Sequence, residues 1–148
     1  MRIDRSVTID APRSRVWDYV TDPENYTEFM EGLTRWDVEG EPARGLGARY
    51  RVLIRVGSAD VGGLIEVVEW SPEGDMAWSS VTGVDQRGRW RLREDSQGCT
   101  RVSFRFAYGV AGSGITGLLA ERVASIPLGR RFRRSLENVK AALEDPGS

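Results

Sequence analysis

From Ser113 to Glu144 the sequence carries a helical pattern that runs almost to its end, and most of the chain before it reads as strands. Ile115, Leu119, Val123 and Ile126 recur at helical spacing in the first half of this stretch. Leu128, Phe132, Leu136, Val139 and Leu143 do so in the second half, about one residue out of phase. Pro127 stands at the phase change, where its missing N–H and its ring kink a helix or divide it in two. An amphipathic helix of this length needs an apolar surface to lie on. In 148 residues the surface available is one face of the preceding strands. The expectation is a helix held against a curved sheet, with a pocket between them.

The earlier chain supplies such a sheet. Ile3, Val7 and Ile9 alternate with polar residues in a first strand that stops at Asp10-Ala11-Pro12, where Asp10 is placed to cap a helix. Val16, Trp17 and Val20 make one face of that short helix, and a second, Glu24 to Met30, turns Tyr26, Phe29 and Met30 inward before Gly32. From there the period is two. Trp36 and Val38 mark a second strand, and Tyr50, Val52, Ile54 and Val56 share one face of a third, opposite Arg49, Arg51, Leu53 and Arg55. Gly62-Gly63 open a fourth, Leu64 to Trp70, of ambiguous parity that a bulge would explain. The fifth offers Met76, Trp78, Ser80 and Thr82 on one face. The sixth sets Trp90 and Leu92 against Arg87, Arg89, Arg91 and Arg93; the seventh sets Val102, Phe104, Phe106 and Tyr108 against Arg101, Ser103 and Arg105. Short turns between successive strands predict an antiparallel sheet.

Length and composition predict one domain over residues 1–144 and a disordered tail over 145–148. No apolar run is long enough to span a membrane and the N-terminus has no secretory core, so the expected compartment is the cytoplasm. A net charge of −1 gives no protein-wide field to draw in nucleic acid. The chain has no histidine and one cysteine, Cys99. That removes the usual general base, the histidine-dependent nucleophile systems, an internal disulfide and a zinc cluster. Any catalysis would use carboxylates, Tyr, Arg, hydroxyls or backbone groups.

The order strand, two short helices, six strands and long helix resembles the START-like helix-grip domains, an α+β architecture with a curved antiparallel seven-stranded sheet around a C-terminal helix. The passage from Ser6 to Tyr26, SVTIDAPRSRVWDYVTDPENY, is similar to the opening of the polyketide cyclase/dehydrase-like family. So are Glu66 to Pro72, Gly98 to Val102 and Ser135 to Lys140. The likeness covers essentially the whole chain. It implies a deep pocket between sheet and helix that takes apolar or aromatic small molecules, in a family that contains aromatic polyketide enzymes and many binding or transport proteins.

The inward set is Tyr50, Val52, Ile54, Trp78, Ser80, Trp90, Phe104, Phe106 and Tyr108, roofed by Ile115, Leu119, Val123 and Ile126. A solid aromatic core satisfies the same pattern; the resemblance implies a cavity. An empty void of roughly 300 Å³ would cost about 7 kcal/mol, close to the whole stability of a domain, so one that large holds ligand or water or collapses in part. The expected function is binding of a lipid-like or polyketide-like molecule, as carrier or sensor, with no cofactor and no metal. The alternatives are an aromatase/cyclase or dehydratase acting on a polyketide intermediate, and a protein-interaction module. For the enzyme, Arg122 with Tyr108 or Glu66 would stabilise an oxyanion and move protons. The other reading turns Arg122 to solvent and pairs Glu66 with an arginine on the outer face. Gly112-Ser113-Gly114-Ile115-Thr116-Gly117 matches the dinucleotide fingerprint by letter, but no strand follows to complete the unit, so it reads as a hinge with Ser113 as helix cap. Arg130, Arg131, Arg133 and Arg134 around Phe132 form either a solvated helix face or a docking patch for an acidic carrier protein or an anionic surface.

Overall fold

The structure, a computed structural model, describes residues 2–109 and 127–144. Ile115, Leu119, Arg122, Val123, Ser125 and Ile126, the Gly112–Gly117 hinge and the 145–148 tail therefore lie outside the described residues. The elements run β1 (Arg2–Ile9), α1 (Arg13–Thr21), a 3-10 turn (Pro23–Asn25), α2 (Tyr26–Phe29), β2 (Leu33–Val38), β3 (Arg49–Val56), β4 (Ala59–Ser71), β5 (Asp75–Ser80), β6 (Gln86–Glu94), β7 (Thr100–Tyr108) and α3 (Leu128–Glu144). All seven strands form one antiparallel sheet in the order β1-β7-β6-β5-β4-β3-β2. Strands β2 to β7 follow one another as a meander, and β1 closes on β7, the helix-grip arrangement.

The alternation read from the sequence sorts residues to the faces it predicts. On β6, Trp90 and Leu92 are fully buried while Arg87, Arg91 and Arg93 are exposed; on β7, Val102 and Phe104 are buried opposite Arg101 and Arg105. The register sets Arg89 opposite Arg105 and Arg93 opposite Arg101, like charges that repel across a strand pair. Carboxylates from neighbouring strands intervene. Asp75 accepts from Arg89 (3.0 Å), Arg91 (3.2 Å) and Arg93 (2.9 Å), and Asp4 accepts from Arg105 (2.8 Å). Glu69 takes a second bond from Arg89. Partial burial opposes ionisation of Asp75, but the hydrogen bonds from Arg93, Arg91 and Arg89 outweigh it and hold the carboxyl below its ordinary value.

Two local expectations are corrected. Asp10 does not cap α1: the helix is entered from Pro12 without a side-chain cap, and the Asp10 N–H instead donates to Glu144 Oε2 (2.7 Å), which ties the strand end to the end of α3. The fourth strand begins at Ala59, after a tight Gly57-Ser58 turn, so Gly62 and Gly63 lie inside it. They are glycine because the backbone packs there: a Cβ at Gly62 would stand 2.0 Å from the Val52 carbonyl oxygen, and one at Gly63 2.2 Å from that of Thr82. The same strand carries the bulge, between Val67 and Glu69. Ile65 and Val67 face the core, Val68 is exposed at the bulge, and Trp70 turns back inward to meet Trp17 with ring centroids 5.0 Å apart.

Helix α3 begins directly after Pro127, whose carbonyl accepts from the Arg131 N–H (3.1 Å). It buries Leu128, Phe132, Leu136, Val139 and Leu143. It lies along β1 and touches α1 and α2. Polar bonds fix its seat. Ser135 Oγ accepts from the Glu31 N–H (2.8 Å), Asn138 Nδ2 donates to the Phe29 carbonyl (3.0 Å), and Lys140 Nζ donates to the Thr8 carbonyl (2.8 Å). Among the four arginines of its first turns, Arg131 is structural: it is half-buried over Gly32 and donates to the Arg55 carbonyl (2.9 Å). Arg130, Arg133 and Arg134 are exposed.

Candidate functional site

Between the inner face of the sheet and the start of α3 the side chains leave a cavity of about 70 Å³. Leu33 and Trp36 come to it from β2, Val52, Leu53 and Ile54 from β3, and Val61 and Gly62 from β4. Trp78, Gln86, Phe104 and Phe106 line it from β5, β6 and β7; Met30, Val84, Leu128 and Phe132 complete the described wall. None of these residues is ionisable. Left empty, a void of this size costs about 2 kcal/mol, which a domain tolerates. The larger void considered from the sequence is not what the side chains leave.

The wall is close-packed on one side and only partly buried on the other. Trp36 stacks flat on Tyr26, centroids 3.8 Å apart and planes 5° from parallel. It stands edge-on to Trp78 at 5.5 Å. Trp78 covers Gly88, where a Cβ would be 2.1 Å from its ring. Phe132 reaches down from α3 to within 5.0 Å of Phe104 and 5.1 Å of Phe106, measured between centroids. By contrast Leu33, Ile54, Val84 and Phe106 are only partly buried.

The indole nitrogens of Trp36 and Trp78 are buried and have no hydrogen-bond partner. A buried donor left without an acceptor costs about 1–3 kcal/mol, and native proteins leave few of them. Trp90, in the same aromatic layer, does not share the defect: its N–H donates to Tyr26 Oη at 3.0 Å.

Of the residues the sequence nominated, Val52, Ile54, Trp78, Phe104 and Phe106 line the cavity. Tyr50 and Trp90 do not; both are fully buried in the solid core, with Tyr50 Oη donating to the Ala43 carbonyl (2.8 Å). Burial pushes the Tyr50 hydroxyl up to about 12, and burial likewise raises that of Tyr26, so neither phenol ionises near neutrality. Ser80 is corrected to a loop anchor: its hydroxyl bonds Asp85 (3.3 Å) and accepts from the Gln86 N–H (3.2 Å). Glu66 is on the outer face, paired with Arg49 at 2.7 Å across the β3–β4 ladder, because the register sets the two directly opposite. Tyr108 ends β7 buried in the core, its ring 6.1 Å from that of Phe106, and borders a surface depression with Asp85, Arg87, Ala107 and Gly109; it is not among the residues that line the cavity. Arg122 and the four roof residues lie outside the described residues.

Sequence reasoning missed Met30, Leu33, Val61, Gly62, Gln86 and Val84 as wall residues, and it set Leu53, which also lines the cavity, on the opposite face of β3 with the arginines. Trp36 was read as marking the second strand, and Leu128 and Phe132 as part of the helix stripe, without being assigned to a site. The signal for the last two was present in their spacing from Leu136 and Val139.

A curved seven-stranded sheet gripping a C-terminal helix over an apolar cavity defines a START-like, helix-grip domain. The chain belongs to the polyketide cyclase/dehydrase and lipid transport family, whose model matches residues 1–144. Among solved structures it is similar to TTHA0849 from Thermus thermophilus, at 20% identity and a TM-score of 0.78 over 100% of both chains. It is similar to the Zhui aromatase/cyclase of Streptomyces sp. R1128, at 18% identity and a TM-score of 0.75 over 100% of this chain and 96% of that one. A START superfamily protein from Mycobacterium smegmatis matches at 12% identity and a TM-score of 0.71 over 97% of each chain. No curated protein sequence matches the chain. No helix among the described residues is long and apolar enough to cross a membrane.

Proposed function

We propose that the protein binds a hydrophobic small molecule, lipid-like or polyketide-like, in the cavity between the sheet and α3, and acts as its carrier or sensor. The observation that carries this reading is a cavity whose described wall is apolar and aromatic, without an ionisable group, at the place where the fold brings sheet and helix together. About 70 Å³ holds only a few heavy atoms. A larger ligand seats its leading end there and lies along the partly buried Leu33, Ile54, Val84 and Phe106. Each methylene withdrawn from water contributes about 0.8 kcal/mol, so a body of about fifteen carbons, worth about 12 kcal/mol gross, supports micromolar binding after about 4 kcal/mol of association cost.

The aromatase/cyclase reading draws on the family's description and on the likeness to the Zhui enzyme. It asks for polar groups converging on a substrate, and the described wall offers Gln86 and two indole N–H groups. The carrier reading is therefore preferred. An acidic carrier protein or anionic surface docking on Arg130, Arg133 and Arg134 is compatible with either.

Titration with the neutral fluorophore N-phenyl-1-naphthylamine tests the reading. The expected result is one saturable site of micromolar affinity, with energy transfer from the cavity tryptophans. Linear, unsaturable fluorescence would refute it.

A further inference from the structure

Trp36 and Trp78 say something about what the ligand carries, given the apolar-ligand reading on which this step rests. Both indoles line the same cavity, at near right angles and 5.5 Å apart, and neither N–H has a partner. They are 7% and 3% exposed, so water outside the protein does not serve them. Nor can the rings turn to find an acceptor. Trp36 is stacked on Tyr26, and Trp78 is seated on the bare backbone of Gly88. The fold satisfies a buried indole where it needs to, as the bond from Trp90 to Tyr26 demonstrates. Two fixed, unsatisfied donors on one cavity wall are the complement of an acceptor that arrives with the ligand.

The described wall favours an uncharged acceptor. The described wall holds no cation, and a carboxylate or phosphate brought into it would lose its hydration without a counter-charge. We propose that the cavity selects a neutral apolar molecule bearing a carbonyl oxygen, such as a ketone, lactone or ester, and that the indole N–H groups of Trp36 and Trp78 receive that oxygen. A hydrocarbon fills the same space and leaves both donors unpaired. This gives the cavity discrimination that shape alone does not.

The test uses acetophenone and ethylbenzene, two probes of nearly equal shape that differ by a carbonyl oxygen. Both are titrated into the full chain carrying ¹⁵N-labelled tryptophan, with the indole N–H resonances assigned by Trp36→Phe and Trp78→Phe. Acetophenone is expected to bind about three- to tenfold more tightly than ethylbenzene. It should also move the Trp36 or Trp78 indole N–H resonance, or both, downfield relative to the ring-current shift that ethylbenzene produces in the same cavity, and slow its exchange with solvent more than ethylbenzene does. The sign is informative: in a wall that offers no donor, the ketone sheds its bonds to water for nothing and ethylbenzene binds better. Ethylbenzene binding as well as or better than acetophenone would overturn the proposal and leave apolar binding intact. So would a tighter ketone that moves neither resonance downfield of its position with ethylbenzene, since the oxygen would then be received elsewhere. Failure of both probes to bind would remove the apolar-ligand reading and this inference with it. The contrast is read on the unaltered chain, so it holds whether or not a tryptophan variant folds.

Discussion

Alanine in place of Gly88 should lower the stability of the fold by about 3 kcal/mol, the cost of driving an added methyl group into a packed indole. Gly88 pairs with Trp78 across the β5–β6 ladder, and its missing side chain is the space the indole occupies. A methyl group there would stand 2.1 Å from Trp78 Cζ2 and 2.3 Å from Cε2. Trp36 at 5.5 Å, Phe104 at 5.8 Å and Tyr26 at 6.5 Å stand around the ring, so it can retreat only by giving up these contacts for the small cavity it lines. The control is Gly98→Ala in the β6–β7 turn, where φ is +81° and nothing lies within 4 Å of the added Cβ; that change costs only backbone strain, about 1 kcal/mol. Urea unfolding of the two variants measures the difference. Equal midpoints would mean that Trp78 is not confined.

The second large effect belongs to Phe132. It is 4% exposed, touches Phe104 and Phe106, and forms the part of the cavity wall that α3 contributes. Phe132→Ala should cost about 3–5 kcal/mol through lost burial and an enlarged void. Unlike a loss elsewhere in the core, this one should be partly recovered by ligand, since whatever fills the void stabilises the native state by mass action. N-phenyl-1-naphthylamine should therefore raise the denaturation midpoint of Phe132→Ala more than that of the unaltered chain. The neighbouring Arg130→Ala, on the exposed side of the same turn, should shift stability by no more than about 0.5 kcal/mol. A Phe132→Ala protein as stable as Arg130→Ala would place the helix away from the sheet.

Where side chains alternate cleanly, the sequence told the faces apart. Trp90 and Leu92 against the arginines of β6, and Val102 and Phe104 against those of β7, leave one parity that buries a core. The stripe of α3 was legible for the same reason. What was not legible came from two features that a period cannot express. A glycine pair reads as a turn, yet Gly62 and Gly63 are interior because backbone carbonyls of Val52 and Thr82 occupy the space beside them, and Val61 was hidden by that misreading. A bulge after Val67 lets residues of both parities look inward, and only the pairing of Glu66 with Arg49 fixes its face. The site was less legible than the fold. Spacing identifies inward residues but not which of them stop short of one another, so Tyr50 and Trp90 were assigned to a ligand when they belong to the packed core. Nor does sequence say which indole finds a partner: Trp90 does, through Tyr26, and Trp36 and Trp78 do not.

The most direct test of the binding function is native mass spectrometry of freshly purified protein, followed by denaturation and identification of any small molecule released. The expected result is the 16.5 kDa chain together with one stoichiometric apolar adduct that leaves on denaturation. A bare chain that also fails to take up the neutral fluorophore would contradict it, and would make the interior a packed core with an incidental void.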